Sequence, residues 1–193
     1  MSRIFALLAF IALLAGCTGY TPQDPLVPLG EFNLNYTYVY AAKARKGPVS
    51  RTASEEEWVA ALTSAIDERL GQYQGSQGYD IGVSVEGYLL APKGIPVLYS
   101  PKSALIINVT VVDLATNQKL NDKARQFTVF ETTTQGSFLI GSGRERTKEQ
   151  QMQGLSRNAV RNIEEWLAEQ ALNEGWFARQ PDNEVSPEPS VQG

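Results

Sequence analysis

A chain of 193 residues with 17 Lys and Arg against 21 Asp and Glu has a formal net charge of −4 and contains no histidine. That balance excludes a nucleic-acid binder built on phosphate neutralisation and argues against a folded domain lying flat on anionic lipid. With no histidine and a single cysteine, the commonest general base and the common soft metal ligands are missing, so neither a cofactor nor a metal is expected.

The chain begins with Arg3 and then an unbroken apolar run from Ile4 to Leu14, followed by the small residues Ala15 and Gly16 ahead of Cys17. This is the tripartite layout of a secretory signal. The run is too short for a stable membrane-spanning helix, which needs about 20 apolar residues. Residues 1–16 are therefore expected to be a cleaved signal peptide. An ordinary signal followed by an incidental cysteine is the plain reading. Leu14-Ala15-Gly16-Cys17, however, resembles the lipobox of bacterial lipoproteins at all four positions. The resemblance implies diacylglycerol on the Cys17 sulfur, cleavage before Cys17 and acylation of the new amine. Several acyl chains hold a protein stably, where one gives only marginal binding. In bacteria that sort lipoproteins by the following residue, aspartate retains them in the inner membrane. Thr18 thus implies the periplasmic face of the outer membrane.

Residues 17–30 read as the lipidated cysteine and a Pro-rich tether, with Pro22, Pro25 and Pro28. In polyproline II, at about 3.1 Å per residue, Thr18 to Gly30 would reach roughly 40 Å. Residues 31–175 are expected to be a single α/β domain, large enough to bury a core without disulfides or metal. Within it, FNLNYTYVY (32–40) alternates, with Phe32, Leu34, Tyr36, Tyr38 and Tyr40 on one face of a strand. The expected use of that face is packing under a helix; a carbohydrate- or base-stacking platform is the functional alternative. Ser54 and Glu57 form a capping box. Trp58, Leu62, Ile66 and Leu70 then mark a helix over 54–73. Residues 79–91 alternate through Tyr79, Ile81, Val83 and Val85, with Gly87 a candidate bulge.

The loop 92–103 is broken by prolines yet rich in apolar residues. It either folds back on the core or offers Ile95, Val97, Leu98 and Tyr99 to a partner. A strand over 104–120 ends in a turn at Ala115-Thr116-Asn117, and further strands are expected over 126–134 and 136–142. Thr147 and Gln150 open a second capped helix, 147–173, closed near Gly175. Residues 176–193, rich in proline and acid toward their end, read as a disordered tail.

The order of elements predicts an α+β fold. It is a two-layer α/β sandwich with a mostly antiparallel sheet of four to five strands and two helices on one face. The first strand–helix–strand unit reads as a right-handed parallel crossover. Taken with the capped helix and the alternating strand, Val111 to Leu120 (VVDLATNQKL) resembles small lipoproteins of the bacterial cell envelope. Domains similar to the N-terminal domain of translocation protein TolB, or to the penicillin-binding-protein activators, show such a strand ending in Asp-x-x-Thr. That resemblance implies a scaffolding role.

The reactive groups give little chemistry. No G-x-S-x-G or S-x-x-K occurs to support a nucleophile. Asp80, Glu86, Asp113 and Glu131 lie on or near strands and could serve glycan hydrolysis as paired carboxylates, although their alternation fits a solvated face. Gly141 to Arg146 could cradle an anion at a helix start or simply form a turn. The sequence therefore reads as a non-enzymatic envelope adaptor. Its partners would be membrane lipid, through acylated Cys17, and an envelope protein, with no nucleic acid. The alternatives are a glycan hydrolase using strand carboxylates and a lipid-transport accessory.

Overall fold

The computed structural model describes residues 23–92, 102–131 and 146–179. Its elements in chain order are β1 (Phe32–Tyr40), β2 (Arg45–Lys46), α1 (Glu55–Leu70), β3 (Gln77–Leu89), β4 (Ala104–Asp113), β5 (Gln118–Lys119), β6 (Arg125–Phe130) and α2 (Lys148–Asn173).

Both helices start where side chains satisfy their orphan amides. The Ser54 hydroxyl accepts from the Glu57 amide at 3.2 Å while Glu57 accepts from the Ser54 amide at 2.8 Å. Thr147 and Gln150 repeat the arrangement at 3.2 and 2.9 Å. The expected capping boxes are both present.

β1 pairs in parallel with β3, so α1 is the crossover between them. β3 pairs antiparallel with β4, and β4 with β6. The two-residue strands β2 and β5 prolong the outer lanes, alongside β3 at Gly87–Tyr88 and β4 at Val112–Asp113. The result is a mixed, mostly antiparallel six-stranded sheet with two helices packed on it. It bears out the expected two-layer fold, with one strand more than the predicted four to five. The expected strand 136–142 lies outside the described residues.

The helices run in the same direction. An ion pair joins Glu57 to Lys148 near their starts, and another joins Arg69 to Glu164 farther along. Between helices and sheet lie Trp58, Leu62, Ile66, Ile81, Leu105, Ile107, Val109, Leu155 and Ile163, all fully buried. No described helix is long and apolar enough to cross a membrane.

The packed part extends beyond residues 31–175 at both ends. Where the sequence reads all of 17–30 as tether, residues 24–30 lie on the domain. Arg69 donates to the Asp24 and Pro25 carbonyls at 2.5 and 3.0 Å, and Leu29 is buried. A polyproline-like segment makes no internal hydrogen bonds, which leaves its carbonyls free for such donors. At the other end Gly175, at φ +70°, turns the chain back after α2. Phe177 then packs on Phe32 and Tyr79 with ring centroids 5.0 and 4.8 Å away.

Candidate functional site

The aromatic face of β1 is not where alternation places it. Pairing of β1 with β3 slips by one residue between Leu34 and Tyr36, a bulge at Asn35. Because side chains alternate with period two, one extra residue sends everything after it to the opposite face. Phe32 stays in the core. Thr37 turns toward α1, where its hydroxyl donates to Asp67 at 2.6 Å. Tyr36, Tyr38 and Tyr40 emerge on the face of the sheet away from the helices, 61%, 66% and 39% exposed. The expectation of an aromatic core face under a helix is thus corrected for these three.

A signal for this outcome lay in the residue types. Each buried tyrosine hydroxyl needs a hydrogen-bond partner. Three in successive inward positions would need three buried polar partners, whereas Thr37 and Val39 suit a helix-facing row without that demand.

The register fixes what surrounds the tyrosines. Tyr36 lies beside Asp80, Tyr38 beside Gly82 and Tyr40 beside Ser84. A Cβ at Gly82 would meet nothing nearer than Thr110 O at 3.7 Å, so the neighbours do not force glycine there. Its bare backbone leaves a flat strip next to the Tyr38 ring. Polar groups on this face satisfy one another, with Asn35 donating to Asp80 at 2.8 Å and Ser84 to Glu86 at 2.8 Å.

A second bulge, between Val85 and Gly87, is the one the sequence anticipates. Beyond it a hollow of about 420 Å³ opens among Arg45, Lys46, Glu86, Leu89, Ile106 and Gln126. Phe130, opposite Ala104, is 59% exposed at its border. The surface therefore joins three exposed tyrosines to an apolar-floored hollow rimmed by two cations.

The four strand carboxylates do not converge. Asp80 and Glu86 share β3 six residues apart, about 20 Å at strand rise. Asp113 is buried, not solvated as expected, and accepts from Ala115 N and the Thr116 hydroxyl at 2.8 and 3.1 Å, holding the turn after β4. Glu131 is also buried, at the opposite end of the sheet, and pairs with Arg146 at 2.9 Å. Both depart from the solvated reading because donors meet them within the fold, at both oxygens of Asp113 and at Oε1 of Glu131. Arg146 is thereby engaged. The rest of the glycine-containing stretch before it, Gly141 to Glu145, lies outside the described residues, as do Cys17 and Ile95, Val97, Leu98 and Tyr99.

No protein-family model and no curated protein matches the chain. Among solved structures it is similar to a candidate lipoprotein from Caulobacter crescentus CB15, at 15% identity and TM-score 0.39, covering 72% of this chain and 91% of that one. It is also similar to a Xanthomonas campestris protein of the DUF330 family, at 11% identity and TM-score 0.48, covering 82% and 95%. A third likeness is to PelC of Paraburkholderia phytofirmans, solved as a dodecamer, at 7% identity and TM-score 0.35, covering 70% and 90%.

Proposed function

We propose that this chain is a lipid-anchored protein of the bacterial cell envelope, held by acylated Cys17 at the periplasmic face of the outer membrane. There it acts as a non-enzymatic adaptor that offers the open face of its sheet to a protein partner. The single observation behind the adaptor reading is the row of exposed tyrosines, Tyr36, Tyr38 and Tyr40, on the side away from both helices. Tyrosine contributes a large amphipathic contact area with few rotatable bonds, and aromatic residues are enriched in protein interfaces. The adjoining hollow, with Leu89 and Ile106 in its lining, extends that surface. The anchor reading rests on Leu14-Ala15-Gly16-Cys17. The strand carboxylates form no shared cleft, because the register neighbours Asp80 and Asp113 lie on opposite faces of the sheet and Glu86 and Glu131 lie far along it. This weighs against the hydrolase alternative, which needs two carboxylates facing one substrate.

The test places a photo-crosslinking residue at Tyr38 in the parent, and at Thr128 in both the parent and the triple variant Tyr36→Ser, Tyr38→Phe, Tyr40→Ser, all in intact cells. The expected result is one protein adduct that the triple variant loses while its thermal midpoint stays within a few degrees, as befits exposed sites. An adduct undiminished in the triple variant sinks the reading.

A further inference from the structure

We propose that Arg69, Glu164 and Tyr73 clamp residues 24–30 to the domain and so give the molecule a membrane-facing pole, with a lipid surface as the partner of that end. The proposal rests on the anchor reading of Cys17.

Arg69 and Glu164 are each only 2% exposed. The Arg69 Nε donates to Glu164 Oε1 at 2.8 Å, while its two terminal nitrogens donate to Asp24 O at 2.5 Å and Pro25 O at 3.0 Å. The Tyr73 hydroxyl lies 2.6 Å from Glu164 Oε1 and 3.0 Å from Val27 O. One guanidinium thus ties α1 to α2 and to the strap. Two apolar side chains could join the helices without the desolvation that a buried ion pair suffers. They could not hold two backbone carbonyls. The strap is what gives this charge pair a use at that position.

The clamp shortens the leash. Seven residue steps separate Cys17 from Asp24, a reach of at most about 25 Å; if the chain were free up to Glu31, fourteen steps would allow about 50 Å. The clamp sits at the end of the domain where α1 finishes and β3 begins, since Gly75 N donates to Phe32 O and Gln77 N to Glu31 O. The turn after Asp113 is at this same end, with Leu114 N donating to Gly78 O. At the far end of the sheet, about 40 Å away by strand rise, Leu89 pairs with Ala104. Ser103 and Glu131 are joined there by a 3.1 Å bond, and Glu131 pairs with Arg146. A short leash at one end favours that end toward the bilayer, and the net negative charge disfavours lying flat on anionic lipid.

The experiment uses full-length lipidated protein in phosphatidylethanolamine–phosphatidylglycerol vesicles carrying a headgroup acceptor dye. Cys17 is the only cysteine, so once it is acylated a donor dye reports solely from Ala115→Cys, in the turn, or Lys102→Cys, at the far end. Energy transfer should be at least twofold greater from position 115. The double variant Arg69→Met, Glu164→Leu removes the clamp without stranding a buried charge. It should shrink that difference by half or more. It should also raise proteinase K cutting between 23 and 30 at least about tenfold, because cleavage follows local opening. Protein that fails to float with the vesicles overturns the anchor reading and the orientation with it. Protein that floats but transfers equally from both positions overturns the orientation alone, and unchanged cutting in a folded double variant overturns the clamp. The wild-type comparison of the two positions decides the orientation whatever the fate of the double variant.

Discussion

Tyr79 lies under the sheet's lower end, stacked on Phe32 with centroids 5.5 Å apart and donating to Gln77 at 2.7 Å. Burial, with a smaller contribution from the nearby Asp113 carboxylate, pushes its pKa from 10.0 up to about 12. The folded protein therefore keeps a proton that the unfolded chain gives up above pH 10. This contribution is fully present below pH 10 and is lost as pH rises toward 12. It amounts to something on the order of 2 kcal/mol. Urea midpoints measured at pH 9 and pH 12 should show Tyr79→Phe losing less stability over that interval than the parent; an equal loss would remove Tyr79 from the account. Trp58 offers a second test, since it is fully buried and its indole N–H has no hydrogen-bond partner among the described residues. Trp58→Ala should cost about 3–5 kcal/mol by opening a cavity. Trp58→Phe should cost about half of that or less, because no hydrogen bond is lost. Ile163→Ala, on the facing helix, should cost about 2–5 kcal/mol, all three being read from denaturant midpoints.

At the scale of elements, what was legible in the sequence was whatever local chemistry decides. Ser54 with Glu57, and Thr147 with Gln150, locate both helix starts from hydrogen bonds made within four residues. Tyr79 to Val85 and Leu105 to Val111 keep strict alternation because β3 and β4 pair along both edges. β1 was misleading because its bulge depends on pairing with a distant strand, and FNLNYTYVY reads plausibly in either phase. Arg69 gave no signal in an otherwise amphipathic helix, since its acceptors come from residues 24, 25 and 164. The bulge makes its own prediction. Deleting Asn35 removes the extra residue, and plain alternation then keeps Phe32 and Leu34 inward and Tyr36, Tyr38 and Tyr40 outward. The deletion should therefore cost no more than about 1–2 kcal/mol, including the lost Asn35–Asp80 hydrogen bond. Asn35→Ala, which keeps the extra residue, should stay within about 1 kcal/mol of the parent. A loss of several kcal/mol on deletion, with Asn35→Ala neutral, would show that an extra residue at 35 is not what sets the face.

For the whole molecule, the proposed anchor and the proposed contact surface lie on separate parts of the chain. The strap joins the domain through Arg69 and Tyr73 on the helix side, whereas the tyrosines occupy the other face of the sheet. A partner on the tyrosines need not displace the strap, so attachment and binding should be separable. Cys17→Ser removes the sulfur that would receive the lipid, at a position six residues ahead of Gln23, where the described residues begin. The variant should lose lipid labelling and leave the outer-membrane fraction, while its purified domain keeps the parent's denaturation midpoint. Its adduct from the Tyr38 crosslinker should persist if the partner is soluble in the periplasm. If the partner is itself fixed in the membrane, the adduct should fall steeply, because the anchor then supplies effective concentration. Normal processing of Cys17→Ser together with retention in the outer membrane would refute the anchor.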